Sequence, residues 1–275
     1  MSLPQPPTHD ALVAPCLLAV GGLDPGGGAG ILADARAAKI AGAYACACVS
    51  LLTVQSTAGL VRATPIAGRE LARSLREVLS QQAVDAIKVG ALGSSDQVRV
   101  VAAALRKHRA VPVVVDTPRK PSRGGAALID AKGWTSLVRD LMPLSTILTV
   151  NADEAGWMLN CRVRTLRDAR AAALAIATMG TSVVVVKGGH LEGNATDIVA
   201  FGASSFELVA ARAHTGPFHG TGCTFASLIA GRIAAKRTCV ADLDGQLAAI
   251  RWAKKKMSAL VQAPLNVGGP ARVLG

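Results

Sequence analysis

Aromatic side chains are scarce in this sequence: four Phe, three Trp and one Tyr, 3% of 275 residues. That supply suits neither an aromatic-rich sandwich core nor a nucleic-acid surface built on stacked rings. Acidic residues are also short, 18 against 30 Lys and Arg, for a formal charge of +12. Such a balance fits nucleic acid, an anionic surface or phosphate-bearing ligands. The basic residues are scattered, and their one run, Lys254-Lys255-Lys256, reads as a solvated helix face, so no nucleic-acid partner is expected. The six cysteines, Cys16, Cys46, Cys48, Cys161, Cys223 and Cys239, show neither a disulfide framework nor a zinc spacing. Cys46 and Cys48 lie two apart in an apolar run, which puts them on one core-facing side of a strand. Reduced thiols point to the cytoplasm.

A membrane span is missing too. Residues 40–61 carry no charge, but Gln55, two serines and two threonines make them a buried strand with its following loop. Met1–Asp10 holds three prolines and no basic stretch, so residues 1–15 read as a flexible tail rather than a targeting signal. Residues 266–275 read as a second tail. No linker or repeat divides the chain between, which leaves one domain over residues 16–265.

Apolar residues are plentiful, 51% of the chain. Short apolar runs alternate with helical patterns. Strands are expected at Cys16–Val20, Ala45–Val54, Ala86–Val89, Val111–Val115, Thr146–Val150 and Val183–Val186, with the last a central parallel strand. Helices are expected near Gly30–Ile40, Glu70–Ser80, Gln97–His108, 133–142, Leu166–Met179, Gly222–Ile233 and Leu243–Val261. A hairpin falls near 196–210. Repeated strand–helix units whose runs are too apolar to face water argue for an α/β fold with a mostly parallel, doubly wound sheet.

Four stretches carry chemistry. Gly21-Gly22-Leu23-Asp24-Pro25-Gly26-Gly27-Gly28-Ala29-Gly30 follows a strand and opens a helix, where backbone N–H groups approach a ligand; a glycine-rich turn without ligand is the alternative. His219-Gly220-Thr221-Gly222-Cys223-Thr224 precedes an apolar helix, and its amides at the helix N-terminus make an anion hole. The alternative there is plain capping by Thr221. Lys187-Gly188-Gly189-His190 follows the Val183–Val186 strand, so the lysine is either a phosphate counter-charge or a surface residue. Asp116, and Asn151 with Glu154, stand at strand ends, where two carboxylates suit a phosphate-bound Mg²⁺ and each residue also suits a helix cap. The GxxxxGK[ST] loop is absent.

Taken in order, Asp24-Pro25, Gly27 to Ile31, Ala33-Asp34, Thr53-Val54-Gln55, Lys88-Val89-Gly90, Asn151 with Glu154-Ala155, Lys187 to His190 and Gly220 to Cys223 resemble the hydroxymethylpyrimidine/phosphomethylpyrimidine kinases of the ribokinase-like superfamily. The resemblance spans residues 16–265. It implies a three-layer α/β/α sandwich, transfer of a phosphoryl group from ATP with Mg²⁺, a small-molecule pyrimidine substrate and a homodimer. It implies that Gly22, Asp34 and Gln55 hydrogen-bond the ring, that Ala29 and Ala91 line its pocket, and that Asp116 and Glu154 serve the metal. Asn151, Lys187 and Thr221 fall on the nucleotide side, and Gly220, Thr221, Gly222 and Cys223 form the anion hole. Cys223 replaces the base aspartate of related sugar kinases, and its helix N-terminus is expected to lower its pKa.

The chain departs from the family at Ala91 (usually Met), at Pro118 (usually Val), at Pro121-Ser122-Arg123-Gly124 and at Pro217-Phe218. The basic 119–123 loop favours a monophosphate substrate. The roomier Ala91 leaves a pyridoxal-type kinase as the alternative, with a non-catalytic pyrimidine-binding homologue as a third reading.

Overall fold

The computed structural model describes residues 13–116, 118–121, 125, 127–189, 191, 193–212 and 216–275. His190, Ser122, Arg123, Gly124 and the first twelve residues of the expected tail lie outside them.

Nine strands form one sheet in the order β3-β2-β1-β4-β5-β6-β7-β8-β9. They are β1 (Cys16–Leu23), β2 (Tyr44–Ser56), β3 (Gly59–Pro65), β4 (Ala86–Val89), β5 (Val113–Asp116), β6 (Ile147–Asn151), β7 (Val183–Lys187), β8 (Asp197–Phe201) and β9 (Ser204–Leu208). The run β2-β1-β4-β5-β6-β7 is parallel, while β3, β8 and β9 add antiparallel pairings at the two edges. The β-branched run of β7 is therefore buried as expected, but it is the last parallel strand rather than a central one.

Strand periodicity sorts the apolar side chains between two helical layers. Val184 and Val186 join the core beneath α2 (Gly68–Gln81), α3 (Ser95–Lys107), α4 (Ala131–Ser136), α5 (Ala152–Leu159) and α6 (Leu166–Ala177). Val183 and Val185 face α7 (Thr221–Lys236) and α8 (Leu243–Gln262), which share their layer with α1 (Gly30–Ala41). This is a three-layer sandwich. Its shortage of aromatics is met by close backbone approach: a Cβ on Gly231 of α7 would come within 2.9 Å of Ala41 Cβ and 3.1 Å of Ala38 Cα in α1.

Three expectations change. The segment after β2 is a strand, not a loop, because β2 alternates buried and exposed residues and pairs antiparallel with β3. The helix expected over 133–142 is the short α4, followed by a π turn at Leu137–Leu141 and a 3₁₀ turn at Met142–Leu144 that contains Pro143. The expected tail at 266–275 packs inward: Ala271, Val273 and Leu274 are buried, and Val273 pairs with Leu265.

Between β1 and β4 the chain turns to opposite sides, since α1 covers one face of the sheet and α3 the other. Ligands of open α/β sheets bind outside the strand carboxyl ends at such a switch. Lys88 sits there, in the middle of the fully buried β4, with a side chain 1% exposed. Its ammonium donates to both carboxylate oxygens of Asp34 in α1, at 2.9 and 3.0 Å. Removing one member of such a pair strands the other charge in the core. Lys88→Met is expected to destabilise the fold by about 3–5 kcal/mol, and Asp34→Leu added to it to recover most of that loss, measured by urea unfolding.

Candidate active site

The carboxyl ends of β1, β4, β5, β6 and β7 border one cavity of about 790 Å³, lined there by Gly22, Ala91, Asp116, Asn151 and Lys187. That size suits a cofactor-scale ligand. Ala29, Gln55, Glu154 and the segment Gly220–Cys223 line the same space. Asp34 does not belong to the lining. Its carboxylate is fully enclosed by Lys88 and by Ser227 Oγ, which donates at 2.7 Å, so it supports the floor from behind rather than meeting a ring.

Lys187 is not a free surface cation. Its Nζ lies 2.7 Å from Asp116 Oδ1, an oxygen that also accepts from Thr149 Oγ1 at 2.9 Å. Burial would raise the Asp116 pKa, but the ammonium groups of Lys187 and Lys88 outweigh it and hold the carboxyl below its usual range. Burial likewise works against the Lys187 charge, and Asp116 and Glu154 more than restore it. The first turn of α7 reaches this pair directly. A Cβ on Gly222 would stand 3.3 Å from Lys187 Nζ and 3.6 Å from Asp116 Oδ2.

Asn151 and Glu154 form a capping box on α5. Asn151 Oδ1 accepts from the Glu154 N–H, and Glu154 Oε2 from the Asn151 N–H, both at 2.8 Å. The capping reading of Asn151 therefore holds, and it leaves Glu154 buried at the cavity wall with its pKa pushed up to about 7, chiefly by burial. The Arg119 guanidinium lies over the rings of Trp157 and Trp134, at 4.8 and 5.4 Å, anchoring the loop that brings Pro118, Lys120 and Pro121 to the rim.

The two glycine-rich stretches meet. Gly220 caps α7 with φ of +78°, and any Cβ there would overlap the Gly28 carbonyl. Thr221 is the first helical residue, so it does not cap the helix. In the first stretch, the Asp24 carboxylate takes the N–H groups of Gly26 and Ala29, each at 2.9 Å, and the Asp24 carbonyl takes that of Gly27. Those amides shape the loop and are not open to a ligand. Burial pushes the Cys223 thiol pKa up in spite of the Lys88 ammonium. The lowering expected from the helix N-terminus is overridden by desolvation.

Several site residues carried no signal of their own in the sequence. His219 Nε2 lies 2.8 Å from Asp24 Oδ2 and 3.1 Å from Gln55 Nε2, joining three distant segments. The C-terminal segment closes this side, where the His219 N–H donates to the Arg272 carbonyl. Lys254 leaves the solvated face expected for its run and donates to Asp197 Oδ2 and the Ala195 carbonyl, both at 2.7 Å. Lys88 did leave a trace: a lysine inside a four-residue apolar strand demands a buried partner.

A family model described as phosphomethylpyrimidine kinase matches residues 24–273. The hydroxymethylpyrimidine/phosphomethylpyrimidine kinase of Mycobacterium tuberculosis is 38% identical over 226 residues, 81% of this chain and 82% of the relative. That of Streptomyces coelicolor is 33% identical over 269 residues, 98% of this chain and 95% of the relative. The ADP complex of Bacillus subtilis pyridoxal kinase superposes with a TM-score of 0.83 at 24% identity, over 94% of this chain and 96% of that one. This last likeness is one of fold.

Asp24 yields a pH test. Burial would raise its pKa, but hydrogen bonds from His219, Ala29 and Gly26 hold the carboxyl below its usual range. The stability this contributes is present above the ordinary carboxylate pKa of about 4 and is lost as pH falls through the lowered value. Asp24→Asn is expected to be less stable at neutral pH by about 1–3 kcal/mol. It is also expected to lose less stability on acidification below about pH 4 than the unaltered protein, read from unfolding midpoints across the acid range.

Proposed function

The chain belongs to the phosphomethylpyrimidine kinase family, a phosphotransferase that uses ATP, and we propose that it phosphorylates 4-amino-5-hydroxymethyl-2-methylpyrimidine, its monophosphate, or both in thiamine biosynthesis. The observation that carries this reading is the Lys187–Asp116 pair set against the first turn of α7 across Gly222. Phosphoryl transfer asks a protein mainly for in-line positioning and for charge placed where the moving group needs it. A half-buried ammonium and a helix N-terminus facing one point meet that demand.

ATP supplies the phosphoryl group, and Mg²⁺ neutralises its oxygens. The residues fit both. Asp116 ends β5 and Glu154 stands in the first turn of α5 just after β6; both are buried, and a cation would favour the ionised form of Glu154, whose pKa burial pushes up to about 7. No group of three or more His, Cys, Asp or Glu able to hold a metal occurs among the described residues, which suits Mg²⁺, an ion that keeps water and phosphate as most of its ligands. Lys187 binds and steadies the transferred group, with Thr221 and Asn151 on the nucleotide side. The amides of Gly220 to Cys223 hold charge as it develops. Gly22, Ala29 and Gln55 receive the ring, with Ala91 as the wall. Cys223 is a thiol that already carries its proton, so it shapes the anion hole, and the substrate hydroxyl gives up its proton late, to a phosphate oxygen or to water, in keeping with a loose transition state.

Pyridoxal is the second reading, favoured by the small side chain of Ala91 in the cavity wall. We also propose a homodimer formed through the β2–β3 hairpin, where Leu52, Val54 and Val61 are exposed by 51%, 49% and 75%. No helix among the described residues is long and apolar enough to cross a membrane. The cysteines are free, which supports a cytoplasmic setting.

A coupled ADP-release assay with both pyrimidines and pyridoxal tests the reading. Turnover of at least one pyrimidine is expected, with kcat lowered about a hundredfold to a thousandfold in Lys187→Ala. Turnover of pyridoxal alone would replace the substrate, and silence with all three would remove the reading. Glu154→Gln is expected to raise the Mg²⁺ concentration needed for half-maximal rate by about tenfold or more, read by Mg²⁺ titration at saturating ATP.

A further inference from the structure

Three segments far apart in sequence meet at one histidine nitrogen. The Asp24 carboxylate is 2% exposed and accepts from two backbone amides, so toward His219 it is an acceptor as well. His219 Nε2, 2.8 Å from Asp24 Oδ2, must then carry the hydrogen. The other ring nitrogen agrees: Nδ1 is buried without a hydrogen-bond partner among the described residues. A bare lone pair is tolerated in such a place more readily than an orphaned N–H.

This proton placement reaches Gln55. As placed, Gln55 Nε2 faces His219 Nε2 at 3.1 Å, which sets N–H against N–H. The two ends of a side-chain amide have the same shape, and the hydrogen-bond network decides between them. Half a turn about the terminal bond lets Oε1 share the one His219 Nε2 hydrogen with Asp24 Oδ2 and aims the NH₂ group into the cavity, where the side chain has no further protein partner among the described residues.

We propose that Asp24 and His219 are positioning residues that fix the Gln55 amide with its NH₂ toward the substrate, so that Gln55 selects a ring offering an unprotonated nitrogen. This rests on the pyrimidine-kinase reading and sharpens it. A neutral pyrimidine presents a ring lone pair to that donor. A pyridinium N–H at the same place meets a second donor and is rejected, because an unpaired polar group in a closed site discriminates strongly. The Asp24–His219 pair thus offsets the extra room at Ala91, through hydrogen-bond polarity rather than bulk.

The unliganded protein, labelled with ¹⁵N histidine, provides the first test. His219 is expected to show a protonated Nε2, and Asp24→Asn to shift population toward the Nδ1–H form. An unprotonated Nε2 in the unaltered protein overturns the proposal, whatever the enzyme phosphorylates. Steady-state kinetics of Gln55→Glu provide the second. This change keeps an acceptor for His219 and turns a carboxylate oxygen to the ring. KM for the pyrimidine is expected to rise about tenfold or more, with a smaller fall in kcat and a smaller effect on pyridoxal. An equal loss for both rings would mean that Gln55 only supports the pocket, and would overturn the selective role. If the unaltered enzyme phosphorylates neither ring, the function reading fails, while the histidine spectrum still decides the amide orientation.

Discussion

A positive charge that cannot reach water organises the floor of this site. Lys88 lies within the sheet, and burial alone works against its charge; Asp34 first, with Asp116 beyond it, holds the proton in place. Asp34 also accepts from Ser227, so one carboxylate ties β4 to α1 and α7. The helix that presents Gly220–Cys223 to the cavity is therefore pinned from below. Shifting it would take the Ser227 hydrogen bond from a fully buried carboxylate, a loss costlier than that of an apolar contact.

Above that floor the charges are paired and waiting. Lys187 rests on Asp116, and Glu154 sits in a cap with its proton loosely held near neutral pH. On the proposed reading, these paired groups are where a polyphosphate and its cation would bind. This is how a phosphotransferase holds strong local fields while remaining folded in the resting state. The same logic explains why Cys223 stays a thiol: a thiolate would be a third buried anion beside Asp34 and Asp116, whose lysine partners are already engaged.

Much of the fold was legible. Val183–Val186 could only be buried on both faces, and the alternation of short apolar runs with helical patterns led to the layered sheet. That Lys187, Asp116 and Glu154 would meet at one cavity was legible, because the carboxyl ends of parallel strands converge regardless of the detailed packing. The β3 strand was hidden because β2 is half exposed and its partner is local. The C-terminal segment looked like a tail, since its burial comes from contacts with Leu265, Phe218 and His219 that no short-range pattern announces.

What the sequence alone determined is the set of local commitments: strand and helix periods, glycine-rich turns at strand ends, and the residues that resemble a pyrimidine kinase in their order. Those depend on neighbours a few positions apart, and one chain displays them directly. Tertiary structure alone decided the partners. It sent Asp34 behind the wall to Lys88, raised rather than lowered the Cys223 thiol, and joined Asp24, Gln55 and His219 at one proton. Burial and hydrogen-bond polarity depend on what the rest of the chain brings close, and for these residues that spans from 54 to 195 positions.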